Sequence, residues 1–229
     1  MIWCQGGNPR SARLAVESGW WYGFRSDSNH YAQELGPVAL LDSHWEMGKV
    51  DWPRHLKTAA EVRPWLATVP DTMTEEQLPL TLAQAEELSP HCEQVLIVPK
   101  APGLIERIPR EIKGKRVVLG YSVPTSYGGT ELPLWDFAGW PVHLLGGSAR
   151  EQCELCGYLN VVSADGNVAW FLARRGIVVT DGGVGGKTVR QMDGQRWAGE
   201  HGHLEALRRS FVNLRRFWER HRTIQWRPR

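Results

Sequence analysis

The 229-residue sequence predicts an α/β fold built on a mostly parallel sheet. Nine short apolar runs recur along the chain, each closed by a polar residue or a glycine and most followed by a polar, helix-compatible stretch. The runs are continuous rather than alternating, which is the pattern of strands covered on both faces. No repeat, low-complexity tract or Ser/Gly-rich linker divides the chain, and its length buries ample core within one domain.

In order, IWCQG (2–6) is followed by WWYGFRSD (20–27), which ends in Asp27, and by PVALLDS (37–43), which ends in Asp42 and Ser43. DWPRHLKTAAEVR (51–63) then opens with an acidic residue near a proline and carries Leu56, Ala59, Ala60 and Val62, a helical start and stripe. WLATVPD (65–71) delivers Asp71, and residues 80–88 read as the next helix. QVLIVPK (94–100) ends in Lys100, RVVLGYS (116–122) in Ser122, and PVHLLGG (141–147) in Gly146 and Gly147. A helix is expected over 148–156, a strand in NVVSAD (160–165) ending in Asp165, a helix over 167–174, and a last strand in GIVVTDG (176–182). Nine runs are one more than an eightfold barrel requires. A closed barrel and an open doubly wound sheet both satisfy this rhythm, and both put function at the carboxyl ends of the strands.

Composition excludes several classes. Hydrophobic residues make up 42% and charged residues 23%, ordinary for a folded soluble chain. There is no apolar run long enough to span a bilayer, and MIWCQGGNPR lacks the basic-then-apolar order of a signal peptide, so a cytoplasmic protein without membrane contact is expected. Of the four cysteines only Cys153 and Cys156 are close, and a lone CxxC reads as two cysteines on one helix face, with no metal site expected. Eight arginines against Glu205 and Glu219 give residues 201–229 a balance of +6 and leave the first 200 residues at −4. That asymmetry points to a polyanion near the C-terminal helix, expected over 203–221, whose Leu204, Leu207, Phe211 and Leu214 form its docking stripe. Arg208, Arg209, Arg215 and Arg216 flank the stripe as candidate contacts to a nucleic-acid backbone.

A single strand-end aspartate is commonly a helix cap or turn former. Asp27, Asp42, Asp71 and Asp165 on one rim point further, to a site. TDGGVGGKT (180–188) lacks the first glycine of a phosphate-binding P-loop, where Asp181 stands instead. Gly128 and Gly129 let backbone approach a flat ligand or simply form a tight turn. Of the twelve tryptophans, Trp45 and Trp135 lie beside strand ends, where an indole face suits a nucleobase.

The order LLDS (40–43), TVPD (68–71), HLLGGS (143–148) and VVSAD (161–165) resembles the tRNA-guanine transglycosylase superfamily, and most closely its phage and bacterial branch of 7-deazaguanine DNA transglycosylase-like proteins. The similarity covers roughly residues 1–180 in order and spacing. It implies a compact or partly trimmed TIM-type (β/α)8 barrel over 1–182, with residues 183–229 forming a Gly-rich loop and a basic helical extension. It also implies that Asp165 is the nucleophile and that Asp42 with Ser43 is the acid/base element. Asp71 and Lys100 would recognise the base, and Gly128, Gly129, Gly146 and Gly147 would approach it or the ribose. HWEM (44–47) replaces the family's Gly-Gly-Phe-Gln, and no cysteine follows residue 156 to build the zinc site of the tRNA enzymes.

The implied activity is exchange of guanine in DNA, or RNA, for a 7-deazaguanine base through a covalent aspartyl intermediate, with no cofactor. The short chain implies a trimmed barrel, a helper subunit or an oligomer. Two other classes fit the residues. One is a sugar-phosphate hydrolase or lyase using the loop of Gly182, Gly183, Gly185 and Gly186, and the other is a non-catalytic barrel that binds nucleic acid through its arginines.

Overall fold

The computed structural model describes residues 2–4, 9–28, 32–126, 128–180, 189–191 and 199–221. The chain runs β1 (Ile2–Cys4), α1 (Pro9–Glu17), β2 (Trp21–Arg25), α2 (Ala32–Leu35), β3 (Val38–Asp42), α3 (Trp52–Val62), β4 (Leu66–Thr68), α4 (Leu78–Leu88) and β5 (Gln94–Ile97). It continues through β6 (Glu111–Ile112), β7 (Lys115–Ser122), β8 (Pro141–Leu145), α5 (Ala149–Leu155), β9 (Asn160–Ala164), α6 (Val168–Ala173), β10 (Ile177–Val179), β11 (Val189–Gln191) and α7 (Gly199–His221). The helices start where the chain chemistry starts them. Asp51 caps α3, its carboxylate accepting the Arg54 N–H, with Pro53 in the first turn. Ser148 and Glu151 form a reciprocal capping box on α5.

The main sheet has the order β1-β2-β3-β4-β5-β7-β8-β9, with every neighbouring pair along it parallel. β6 is a short antiparallel addition to β7. Seven strands, β2 to β5 and β7 to β9, curl into a half-barrel, and β1 adds to the free edge of β2. The curl brings β9 within 8 Å of β1 between Cα atoms, and among the described residues no ladder joins the two. The ninth apolar run does not enter this sheet. β10 pairs antiparallel with β11, and its Val179 is bonded to α7, the N–H donating to Ser210 Oγ at 2.9 Å and the carbonyl accepting from Asn213 Nδ2 at 2.7 Å.

Burial on both faces explains the continuous runs. Leu40, Leu66, Leu96, Val98 and Val118 pack against one another inside the curl. Their strand neighbours Leu41, Ala67, Val95, Ile97, Val117 and Leu119 join the larger core on the outer face, with Ala59 of α3 and Leu78, Ala85 and Leu88 of α4. Two-residue periodicity therefore carries the inward face of Leu40 on to Asp42, that of Leu66 to Thr68, and that of Val118 to Gly120 and Ser122. On β9 the phase is reset. The pairing steps from Val142↔Val161 to His143↔Ser163, so Val162 is an extra residue and the bulge turns Ser163 and then Asp165 to the inside. Without it Asp165 would share the outward face of Val161.

A second core forms where α7 packs on α1, α6 and β10. Leu207, Phe211, Leu214, Phe217 and Trp218 meet Ala15, Trp20, Ala169 and Ala173, and the Trp20 Nε1–H donates to the Phe211 carbonyl at 3.1 Å. The expected docking stripe of the last helix is thus its buried face.

Gly120 sits at a tight point of the interior. A Cβ built there would stand 2.6 Å from Val98 Cγ2 and 2.9 Å from Leu145 Cδ1. Gly120→Ala is therefore expected to lower stability by about 1–3 kcal/mol, read as a fall in urea midpoint at unchanged slope.

Candidate active site

Because the strands are parallel, their carboxyl ends share one rim. Asp42 closes β3 facing inward, and its Oδ1 accepts the Ser43 N–H at 2.9 Å and the Thr68 hydroxyl at 3.2 Å. Thr68 is itself held in place. Its Oγ1 accepts the Ser43 N–H at 2.7 Å, and its carbonyl accepts from His55 Nε2 at 2.9 Å. Since a carbonyl only accepts, His55 carries its proton on Nε2 and its Nδ1 accepts the Ser26 hydroxyl at 2.8 Å. Burial lowers the His55 pKa to about 4, so the ring is neutral and serves as a brace.

Asp71 follows β4 after Val69 and Pro70. Its N–H donates to the Trp45 carbonyl at 3.1 Å, and a parallel bridge between Thr72 and Pro99 sets this loop beside the extension of β5. Lys100 arrives from that extension with its Nζ 3.4 Å from Asp71 Oδ2, both side chains largely buried. Asp165 follows β9. Its N–H donates to the Leu144 carbonyl and its Oδ1 accepts the Gly146 N–H, each at 3.0 Å. The buried Gln152 of α5 locks this corner, its Nε2 donating at 2.6 Å to both the Gly146 and the Asp165 carbonyls. Gly147, at φ +76°, leaves no room for a side chain, since a Cβ there would lie 2.5 Å from Val123 Cγ1.

A cavity of about 140 Å³ opens among Arg25, Asp42, Ser43, Trp45, Thr68, Asp71 and Ser122. Burial, then the charge of Asp165 and, less, that of Asp71, raise Asp42 to about 7 against the opposing Thr68 hydroxyl and Arg25. Burial lifts Asp165 to about 6 against the Gly146 N–H bond, and lifts Asp71 to about 6 against Lys100. Near pH 7, Asp165 and Asp71 are mostly ionised while Asp42 holds a proton about half the time. The crowding favours a proton on Asp42 beside the Asp165 carboxylate. Among the described residues no group of three His, Cys, Asp or Glu side chains is arranged to hold a metal ion.

Asp42, Ser43, Trp45 and Asp71 line the cavity, with the Trp45 ring half-exposed at its mouth, while Lys100 stands against Asp71 and Asp165 with Gly146 closes the same rim beside the cavity without lining it. The other residues expected from the sequence lie elsewhere or act indirectly. Asp27 is an exposed partner of Arg25. Gly128 closes a tight turn with Thr125, and Gly129 packs on Pro124; neither lines the cavity. Trp135 sits on an exposed turn at residues 134–137 and does not line the cavity. Arg208 and Arg209 both pair with Glu205, and Arg215 pairs with Glu219 and the Ser18 carbonyl, while Arg216 is exposed. Gly182, Gly183, Gly185 and Gly186 lie outside the described residues. Arg25, Thr68, His55 and Gln152 are the site residues that strand-end reading passes over. For Arg25 and Thr68 the available signal was two-residue periodicity, which puts both on inward faces.

A family model described as Family of unknown function (DUF6610) matches residues 15–219. The chain belongs to this family. No curated protein and no solved structure matches it. The DUF6610 match spans Asp42, Asp71 and Asp165 together with Thr68 and Gln152.

The raised carboxylates carry a cost in stability. A folded pKa near 7 against an ordinary value of 3.8 means the native state binds the extra proton, so the stability held at low pH is lost as pH rises from about 4 to 7. Asp42→Asn keeps an acceptor for Ser43 and Thr68 and removes the charge. Its Tm should exceed that of the parent chain by about 3–8 °C at pH 8, with little difference at pH 4.5, as read by calorimetry.

Proposed function

We propose that this chain is a base-exchange enzyme of the guanine transglycosylase type, replacing guanine in nucleic acid, DNA in the first instance, with a 7-deazaguanine. The observation that carries the reading is that the parallel strands deliver Asp42, Asp71 and Asp165 to one rim, with Asp165 near enough for its charge to help keep a proton on Asp42. On this reading the half-barrel with β1 is a trimmed (β/α)8 barrel.

The Asp165 carboxylate attacks the anomeric C1′ of the target nucleotide and the C1′–N9 bond breaks. Its electron pair leaves with the guanine, which takes the proton of Asp42. Asp42, now ionised, removes the N9 proton of the incoming base. The freed nitrogen pair attacks C1′, and Asp165 departs as a carboxylate. Two inversions retain the anomeric configuration and leave the backbone intact, as in retaining glycosidases. No net proton or electron is consumed. Asp71, oriented by Lys100, accepts hydrogen bonds from the N–H groups of a guanine-like edge, and the Trp45 face stacks on the extruded base.

The sign of the cavity also favours a base over a phosphate ester. Asp42 and Asp71 line the cavity, and the neighbouring cations Lys100 and Arg25 are paired with Asp71 and Asp27, so the pocket offers acceptors to a donor-rich neutral ring and no unpaired cation to an anion. This weakens the sugar-phosphate alternative. A non-catalytic binding module would show salt-dependent DNA affinity without exchange.

A duplex carrying labelled guanine, incubated with a free 7-deazaguanine, should release label with its backbone unbroken, and Asp165→Ala should lower the rate at least about a thousandfold. Unchanged release by that variant sinks the assignment of the nucleophile. The rate should fall below about pH 6, as Asp165 gains a proton, and above about pH 7, as Asp42 loses one.

A further inference from the structure

His143 of β8 is fully buried in the strand that ends just before Gly146, inside an otherwise apolar run. Its Nδ1 lies 2.7 Å from the hydroxyl of Ser163, a buried residue on β9 turned inward by the bulge. Its Nε2 has no hydrogen-bond partner among the described residues and lies 3.8 Å from Asp165 Oδ1. That Oδ1 is the oxygen already held by the Gly146 N–H. A fully buried ring nitrogen this close to a carboxylate calls for an explanation.

We infer that His143 is a positioning residue for Asp165: a neutral imidazole, fixed by Ser163 with its proton on Nε2, that presents this N–H to Oδ1 and leaves Oδ2 as the attacking atom. The tautomer follows from the two neighbours. With the proton on Nδ1, a lone pair on Nε2 would face an ionised carboxylate; with it on Nε2, the Ser163 hydroxyl donates to Nδ1 and the N–H dipole faces the charge. Burial lowers the His143 pKa to about 3, so the ring transfers no proton near neutrality. Oδ1, bonded by Gly146 and approached by His143, becomes the ester carbonyl when Oδ2 bonds to C1′. Both donors then stabilise the carboxylate as it departs in the second displacement.

The chemical role rests on the base-exchange reading, whereas the His143–Asp165 coupling does not, so the test begins without substrate. In the full chain labelled with 15N-histidine and 13C-aspartate, with ring signals assigned through the backbone, His143 should carry its proton on Nε2 at pH 7.5. The Asp165 carboxyl should titrate higher in His143→Leu by roughly half a pH unit or more, and His143→Gln, which restores an N–H near the same place, should bring it back. The charged groups acting on that titration are Asp42 directly and, through it, Asp71, Lys100 and Arg25; the shift is therefore also measured in the Asp42→Asn background, where it should persist. A proton on Nδ1, or an Asp165 midpoint unmoved in the Leu variant, overturns the inference. In the exchange assay His143→Leu should lower kcat about tenfold with KM little changed, and Gln should restore most of it; an unchanged kcat removes the positioning role. If the parent chain shows no exchange while the coupling is seen, the transglycosylase reading fails and the coupling stands.

Discussion

Asp42, Asp71 and Asp165 crowd one end of the sheet because parallel strands deliver their carboxyl ends to a single rim, and the low polarity behind that rim denies them the solvent that would separate their charges. Lys100 compensates Asp71. Between Asp42 and Asp165 the repulsion is relieved by retaining a proton. The surrounding hydrogen bonds can be read as responses to this crowding. Thr68 and the Ser43 N–H hold Asp42, and the Gly146 N–H holds Asp165. Further out, His55 and Gln152 hold those holders. Such support keeps a charged group in a defined rotamer, and electrostatic catalysis depends on that order.

Below the polar layer the interior is closed by Leu40, Leu66, Leu96, Val98 and Val118. The cavity is therefore a shallow polar cap on a packed plug, and not a channel. Gly120 marks the transition, since it lets Val98 and Leu145 meet beneath Ser122 where a larger residue would push the plug into the site. The depth of the cavity is set by these aliphatic side chains, with Asp42 and Asp71 above them.

Much of this was legible in the sequence, and the exceptions have physical reasons. Asp42, Asp71 and Asp165 could be found because each terminates an apolar run. The run IVV at 177–179 misled the strand count: three apolar residues look the same whether they join a parallel sheet or lie beneath a helix. Gly128 and Gly129 could be read as a ligand approach or as a turn, and the turn is what forms. The bulge at Val162 was not legible, since it is a property of pairing between two strands; the run alone puts Asp165 near the rim without fixing which way it faces. His143, Gln152 and His55 escaped for a related reason. Their partners lie on other elements, and no spacing along the chain links Gln152 to two carbonyls that meet only in the fold.

The helix α7 fills the second core with Leu207, Phe211, Leu214, Phe217 and Trp218, against partners that include Ala15 and Trp20 from the opposite end of the described chain. During synthesis the early partners leave the ribosome first. Trp20 and the Ala15 side of α1 then wait, uncovered, for nearly two hundred residues before their cover emerges. The Ala12 and Val16 side of α1 packs into the sheet core, whereas the Ala15 side waits for α7. A chain halted before α7 would leave Ala15 and Trp20 without that cover.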